Sequence, residues 1–152
     1  MRLIHTPVHR SVEYEDTLQK LGGTGAVMFT TLREALTFCA VLGYKERRRK
    51  PLDAKTEDIA GAQYHLNDAV DMVFALALAD AKKSDILRPD RERECVQIYE
   101  EYANGGLEIV QSWIERYANV NIEDAVWRGL KAIGVGPPQS DDAAPGAVAP
   151  VI

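Results

Sequence analysis

Between Thr31 and Leu42 (TLREALTFCAVL) the apolar residues Leu32, Ala35, Leu36, Cys39 and Leu42 recur at the spacing of one helix face. Thr31 followed by Glu34 has the form of a capping box, in which hydroxyl and carboxylate satisfy the first free backbone N–H groups, so a helix starts there. Phe38 and Val41 widen the stripe, which implies burial on more than one side. Gly43 is the expected stop, because Gly enters the left-handed conformation without a Cβ penalty. Pro51 to Asp58 (PLDAKTED) reads as a loop. A helix starting near Leu66 then runs through the most apolar stretch of the chain, Ala69 to Ala79 (AVDMVFALALA), which is too short and too acid-flanked to span a bilayer and predicts a central buried helix. Ser84 to Pro89 forms a second connection.

Two amphipathic helices are expected next, the first carrying Cys95, Ile98, Tyr99 and Tyr102 and the second Leu107, Val110, Ile114 and Tyr117. Gly105-Gly106 predicts a break or sharp kink between them, since each interior Gly costs roughly 1 kcal/mol relative to Ala. A last helix over 122–133 has Asn121 as N-cap, Glu123 and Asp124 in its first turn, and Ala125, Val126, Leu130 and Ile133 on its apolar face. Before residue 30, VEYEDTLQKL reads as a short helix, and GAVMFT, after GGTG, as a short extended segment. From Gly134 onward four prolines and three glycines in 19 residues predict a disordered tail. The expected fold is therefore mainly α: a compact multi-helix domain of about five helices over 1–133, with a less regular N-terminal segment and a tail over 134–152.

Composition supports one ordinary core. The chain has 152 residues, 46% of them hydrophobic and 27% charged, and its pI of about 5.2 excludes a protein that coats nucleic acid non-specifically, because the mean field repels phosphate. The first residues (MRLIHTPVHR) contain no apolar run of signal-peptide length, so a cytoplasmic location is expected. Cys39 and Cys95 stand alone within apolar helical patterns, as reduced packing residues do.

The candidates for chemistry are weak. His5 and His9 have the spacing of a helical metal pair, but Pro7 lies between them and no third ligand has a recognisable spacing. His65 reads as a helix-entry or packing residue. GGTG at 22–25 lacks the Lys-Ser/Thr that would complete a phosphate-binding P-loop. Asp53, Glu57 and Asp58 fall in the expected loop, without the sheet that would converge carboxylates on a catalytic metal. There is no G-x-S-x-G motif and no Cys with a partnering His, so no catalytic residue, metal or cofactor is assigned, and a non-enzymatic role is expected.

One feature does press toward function. In LGYKERRRKPL, Lys45, Arg47, Arg48, Arg49 and Lys50 oppose only Glu46, a local +4 that leaves −9 for the rest of a chain whose net charge is −5. Cations just past a helix C-terminus are stabilised by its macrodipole by about 0.3 to 1 kcal/mol each, but the effect fades within a turn. Capping therefore accounts for one or two of them and leaves Arg47, Arg48 and Arg49 as a surplus. Three uses stay open: a solvated cap, contact with DNA phosphate, or docking on an acidic protein partner. Lys82, Lys83, Arg91 and Arg93 join the patch only if the fold brings them there.

FTTLREALTFCAVLGYKERRRKPL (29–52) together with IYEEYANGGLEIV (98–110) resembles a family of small prokaryotic proteins associated with Dnd systems, the DNA phosphorothioation modification and restriction loci. The likeness extends over most of 26–133. It lies in an apolar helix ending in Leu-Gly-Tyr, a basic run closed by Pro-Leu, and a tyrosine-rich helix interrupted at Gly-Gly. The resemblance implies a setting of restriction-modification and antiviral defence, with other Dnd proteins and DNA as partners, and it carries over no catalytic motif. In that setting phosphate contact becomes the leading use of Lys45, Arg47, Arg48, Arg49 and Lys50, with Tyr44 packing the turn. Five phosphate contacts would give a slope of about −4.5 in log K against log salt. The rivals are a protein-interaction adaptor without DNA contact, using the tandem helices around Gly105-Gly106 with an exposed Trp113 or Trp127 as anchor, and an enzyme of unrecognised type.

Overall fold

A computed structural model describes residues 4–53 and 55–136. Five α-helices account for most of the described residues: α1 (Glu15–Gly22), α2 (Leu32–Lys45), α3 (Ala69–Ala81), α4 (Glu92–Arg116) and α5 (Ile122–Ala132). Two short strands, β1 (Val8–Ser11) and β2 (Thr56–Ile59), pair antiparallel with Val8 opposite Ile59 and His9 opposite Asp58. Single turns of 3-10 helix lead into α1 and α4, and a longer one, Gly61–Asp68, leads into α3.

The axis of the molecule is α4. Its 25 residues, about 37 Å of helix, receive α1, α2, α3, α5 and β1 on different faces. This explains why so many of its side chains are buried, from Cys95 to Trp113, and why α2 is buried along Ala35, Leu36, Cys39, Ala40 and Leu42. Three polar groups that enter this core are matched to each other: Thr37 Oγ1, Tyr99 OH and Tyr64 OH form a chain with spacings of 2.8 and 2.9 Å. Burial pushes both phenols upward in pKa.

The two expected N-caps hold. Thr31 Oγ1 accepts from the Glu34 N–H at 3.1 Å and Asn121 Oδ1 from the Asp124 N–H at 2.9 Å. Both cysteines are buried, and the Cys95 thiol donates to the Ile86 carbonyl at 3.1 Å.

Several expectations are corrected. The break at Gly105-Gly106 is absent: α4 runs straight through both residues. A Cβ on Gly105 would lie 1.9 Å from the Arg48 carbonyl oxygen, and one on Gly106 would lie 1.8 Å from that of Cys39. The pair thus lets two backbones touch, and tertiary packing offsets its poor helix propensity. Gly43 is likewise interior to α2 and faces α4, its missing Cβ 2.0 Å from the Tyr102 carbonyl oxygen, while the helix continues to Lys45. GAVMFT forms no strand, and the extended structure lies instead at β1 and at β2, which starts within the expected loop 51–58 and ends one residue past it. A 3-10 segment occupies the expected start of the α3 region near Leu66, and the α-helix itself begins at Ala69. Most of the expected tail, 137–152, lies outside the described residues.

Candidate functional site

The basic run is a helix-terminating turn clamped onto α4. After α2 ends at Lys45, Arg47 takes φ 54° and the chain reverses: the Arg47 N–H donates to the Tyr44 carbonyl at 3.1 Å and the Arg48 N–H to the Gly43 carbonyl at 2.8 Å. This is the Schellman pattern, which normally has Gly at the left-handed position. Here that position is filled by an arginine.

From Arg48 onward the chain lies along α4. Glu101, Asn104, Gly105 and Glu108, spaced i, i+3, i+4 and i+7 on one helical face, all contact it. The Lys50 N–H donates to the Glu101 carbonyl at 3.0 Å, and Asn104 Nδ2 donates to the carbonyls of Lys50 and Pro51 at 3.3 and 3.2 Å. Asn104 Oδ1 is buried without a partner among the described residues. The side chains are held by the same face. Arg48 Nη1 reaches Glu108 Oε1 at 3.0 Å, and Arg49 bridges Glu101 at 2.7 Å and Asp80 of α3 at 3.1 Å. Lys50 Nζ meets Glu108 Oε2 at 2.9 Å and the Tyr14 hydroxyl, with its ammonium 4.7 Å from the Tyr14 ring centre. The bonds to Tyr14 and Glu108 raise the Lys50 pKa, and Lys50 in turn holds the Glu108 carboxyl below its usual range.

The other half of the run faces outward. Among the described residues Lys45 Nζ has only long contacts, 3.5 Å to Glu46 and 3.4 Å to the Ile133 carbonyl. Arg47 has no ion pair or side-chain hydrogen bond among the described residues. Both line an open cleft of about 520 Å³ between the C-terminal ends of α2 and α3, together with Tyr44, Tyr102, Ala79, Asp80 and Lys82. Tyr44 packs edge-on against Tyr102 with ring centres 5.5 Å apart, as expected of the residue that seats the turn. The Tyr102 hydroxyl donates to Asp80, and burial, with that bond second, pushes its pKa up to about 12.

The residues that the sequence reading missed are the counter-charges Asp80, Glu101 and Glu108. Two of them were legible as an acidic stripe on α4 in line with Gly105. Of the conditional cations, the fold brings Lys82 to the cleft. Arg91 pairs with Asp85 and Glu94, and Arg93 with the buried Glu100. Burial raises the Glu100 pKa.

Two of the three histidines have structural partners. His9 Nδ1 lies 2.5 Å from its cross-strand neighbour Asp58, and His65 Nε2 contacts the backbone of Ile4. No group of three or more His, Cys, Asp or Glu among the described residues is placed to hold a metal ion. Trp113, an expected surface anchor, is 5% exposed and covers Gly129, whereas Trp127 is 41% exposed beneath Lys131.

The two stretches that carry the family resemblance are thus in contact, the basic turn of 29–52 lying on the Gly-Gly face of 98–110. The family model for DNA sulphur modification system-associated protein 4 matches residues 7–132. The chain belongs to this family. The match runs from the start of the strand pair to the end of α5, so the turn, its cradle and the cleft all fall inside the part shared by DNA sulphur modification system-associated protein 4. Comparison with curated proteins and with solved structures gave no match. No helix among the described residues is long and apolar enough to cross a membrane.

Proposed function

We propose that the protein is a non-enzymatic accessory component of a DNA sulphur-modification system and that it holds the DNA backbone through the turn Lys45, Arg47, Arg48, Arg49 and Lys50. The observation that supports this is Arg47, which has no ion pair among the described residues and is kept in a left-handed conformation lining a cleft it shares with Lys45. A left-handed residue other than Gly costs on the order of 1 kcal/mol, and such strain concentrates at functional positions. Arg48, Arg49 and Lys50 act indirectly, fixing the turn on α4 so that its outer cations are presented without being ordered at the moment of binding. Contact of this kind positions a protein on DNA and reads no sequence.

The pairing changes the expected strength. With Arg48, Arg49 and Lys50 closely engaged by carboxylates and Lys45 only loosely paired with Glu46 at 3.5 Å, two phosphate contacts remain, for a slope of about −1.8 in log K against log salt, or roughly 12-fold weaker binding from 50 to 200 mM. Binding this modest suits a component that other proteins of the system hold near DNA. Anisotropy of a labelled duplex over that salt range measures the slope. A value near −4.5 would mean that Arg48, Arg49 and Lys50 leave their carboxylates to grip DNA. No binding at low salt, with Arg47→Ala leaving cellular restriction intact, would refute the DNA reading.

A second reading, an adaptor without DNA contact, rests on the outer face of α3, where Met72 and Leu78 are about two-fifths exposed. It predicts binding to a protein of the system that survives high salt.

A further inference from the structure

We infer that Lys82, outside the basic run, is the second jaw of the site, and that the cleft between the ends of α2 and α3 takes a phosphodiester group of nucleic acid between Arg47 and Lys82. This deepens the DNA-backbone reading and rests on it.

Three observations carry the assignment. Among the described residues three non-glycine positions have positive φ: Asp68, Arg47 at 54° and Lys82 at 58°. Two of the three are therefore cations, each just beyond the end of one of the helices flanking the cleft, where Gly or Asn is the usual choice. Second, neither cation has an ion pair or side-chain hydrogen bond among the described residues, although Asp80 lines the same cleft. Asp80 is already committed, one oxygen to Arg49 and the other to the Tyr102 hydroxyl. The lining thus offers Lys45, Arg47 and Lys82 against one carboxylate whose charge is met from the other side by Arg49.

Third, the helix ends do not repel an anion as strongly as bare C-termini would. The Gly43 and Tyr44 carbonyls accept from Arg48 and Arg47, and the Leu78 carbonyl accepts from the Lys82 N–H at 2.8 Å. The negative end of each macrodipole instead stabilises the cation set on it.

The chemistry of the jaws is complementary. Arg47 brings a planar fork suited to two phosphate oxygens, while Lys82 and Lys45 bring compact charges that adapt to the rest. At about 520 Å³ the cleft is several times larger than one phosphate group, so the anion enters as part of a chain, with the exposed side of Tyr44 as a wall for the adjoining sugar or base.

Glycine substitutions test this, because they separate binding from folding. Arg47→Gly and Lys82→Gly each relieve the left-handed strain, so each variant is expected to melt no lower than the parent. Each is also expected to weaken binding of a labelled duplex roughly tenfold at 50 mM salt and to make the salt slope shallower by about 0.9. The parent slope becomes about −2.7 when all three cations contribute. Lys83→Gly, at a neighbouring cation that does not line the cleft, is expected to leave both quantities unchanged. If Lys82→Gly binds like the parent while Arg47→Gly does not, Lys82 is no part of the site and the basic-turn reading stands alone. If the parent binds no duplex at low salt but binds a polyglutamate peptide with loss in both glycine variants, the cleft serves an acidic protein and both DNA assignments fail.

Discussion

The two halves of the basic run are neighbours in sequence and opposites in physical role. Arg48, Arg49 and Lys50 are neutralised by Glu108, Glu101 and Asp80 and anchor a loop to the longest helix. Lys45 and Arg47, a few residues earlier, meet no strong partner among the described residues and border an open cleft. A charge count treats all five alike, yet a cation already held by a carboxylate has little left for a ligand, since binding must first break that pair. The difference is made by geometry: the Schellman reversal at Arg47 separates the side that follows α4 from the side that looks outward.

The most severe way to break this arrangement is to separate the turn from α4. Gly105→Ala would place a methyl group 1.9 Å from the Arg48 carbonyl oxygen, a backbone atom that moves only if the whole turn moves. The expected loss is about 2 to 3 kcal/mol in chemical denaturation, typical of overpacking at a tight contact. Helix propensity alone predicts the reverse, a gain of about 1 kcal/mol for Ala over Gly, so the sign of the change decides between a packing role and a tolerated break. DNA binding should fall with stability in this variant.

A smaller effect contrasts the halves directly. Arg49→Ala removes the link between Glu101 and Asp80 and leaves two partly buried carboxylates facing one another without a cation. A loss of about 1 kcal/mol is expected, limited by the solvent exposure of the guanidinium. Arg47→Ala removes no pair and should change stability by less than about 0.5 kcal/mol, as at most surface positions, while weakening binding to DNA. Equal stability losses from the two would dissolve the division.

Much of the fold could be read from residue periodicity. The cap residues Thr31 and Asn121, the apolar character of α3 and the faces of α2, α4 and α5 follow from local spacing, because helices announce themselves over a few turns. The glycines were misread for a specific reason. Propensity marks Gly43, Gly105 and Gly106 as interruptions, and only the partner helix reveals that the absent Cβ atoms let α2 and α4 approach. The strand pair was equally hidden, since Val8–Ser11 and Thr56–Ile59 are four residues each and pair across more than forty positions. For the site, the run of cations was evident but the free ones among them were not, because Asp80, Glu101 and Glu108 are brought to the run by tertiary structure.

The mildest expected effect is the pH dependence of the inner half. The Glu108 carboxyl is depressed below its ordinary value of 4.5, chiefly by Lys50, while the Lys50 ammonium is raised above 10.5 by Tyr14 and Glu108. A depressed carboxyl contributes stability above its unfolded value, and that contribution fades as pH falls through the folded one. A raised ammonium contributes below its unfolded value and loses that contribution only at strongly alkaline pH. The pair is therefore fully effective from about pH 5 to pH 10. Glu108→Gln should cost a few tenths of a kcal/mol across that window, the amount expected of a partly exposed pair, and should converge on the parent as pH falls through the depressed folded value. Glu100 supplies the opposite sign on the same helix: its carboxyl is raised by burial, so its ionisation opposes folding at neutral pH and this penalty disappears on acidification. Denaturation of Glu108→Gln and Glu100→Gln from pH 3 to pH 8 should thus give difference curves of opposite slope. Parallel curves would mean that the turn is not held by charge, and that its hold on α4 rests on the backbone contacts around Gly105.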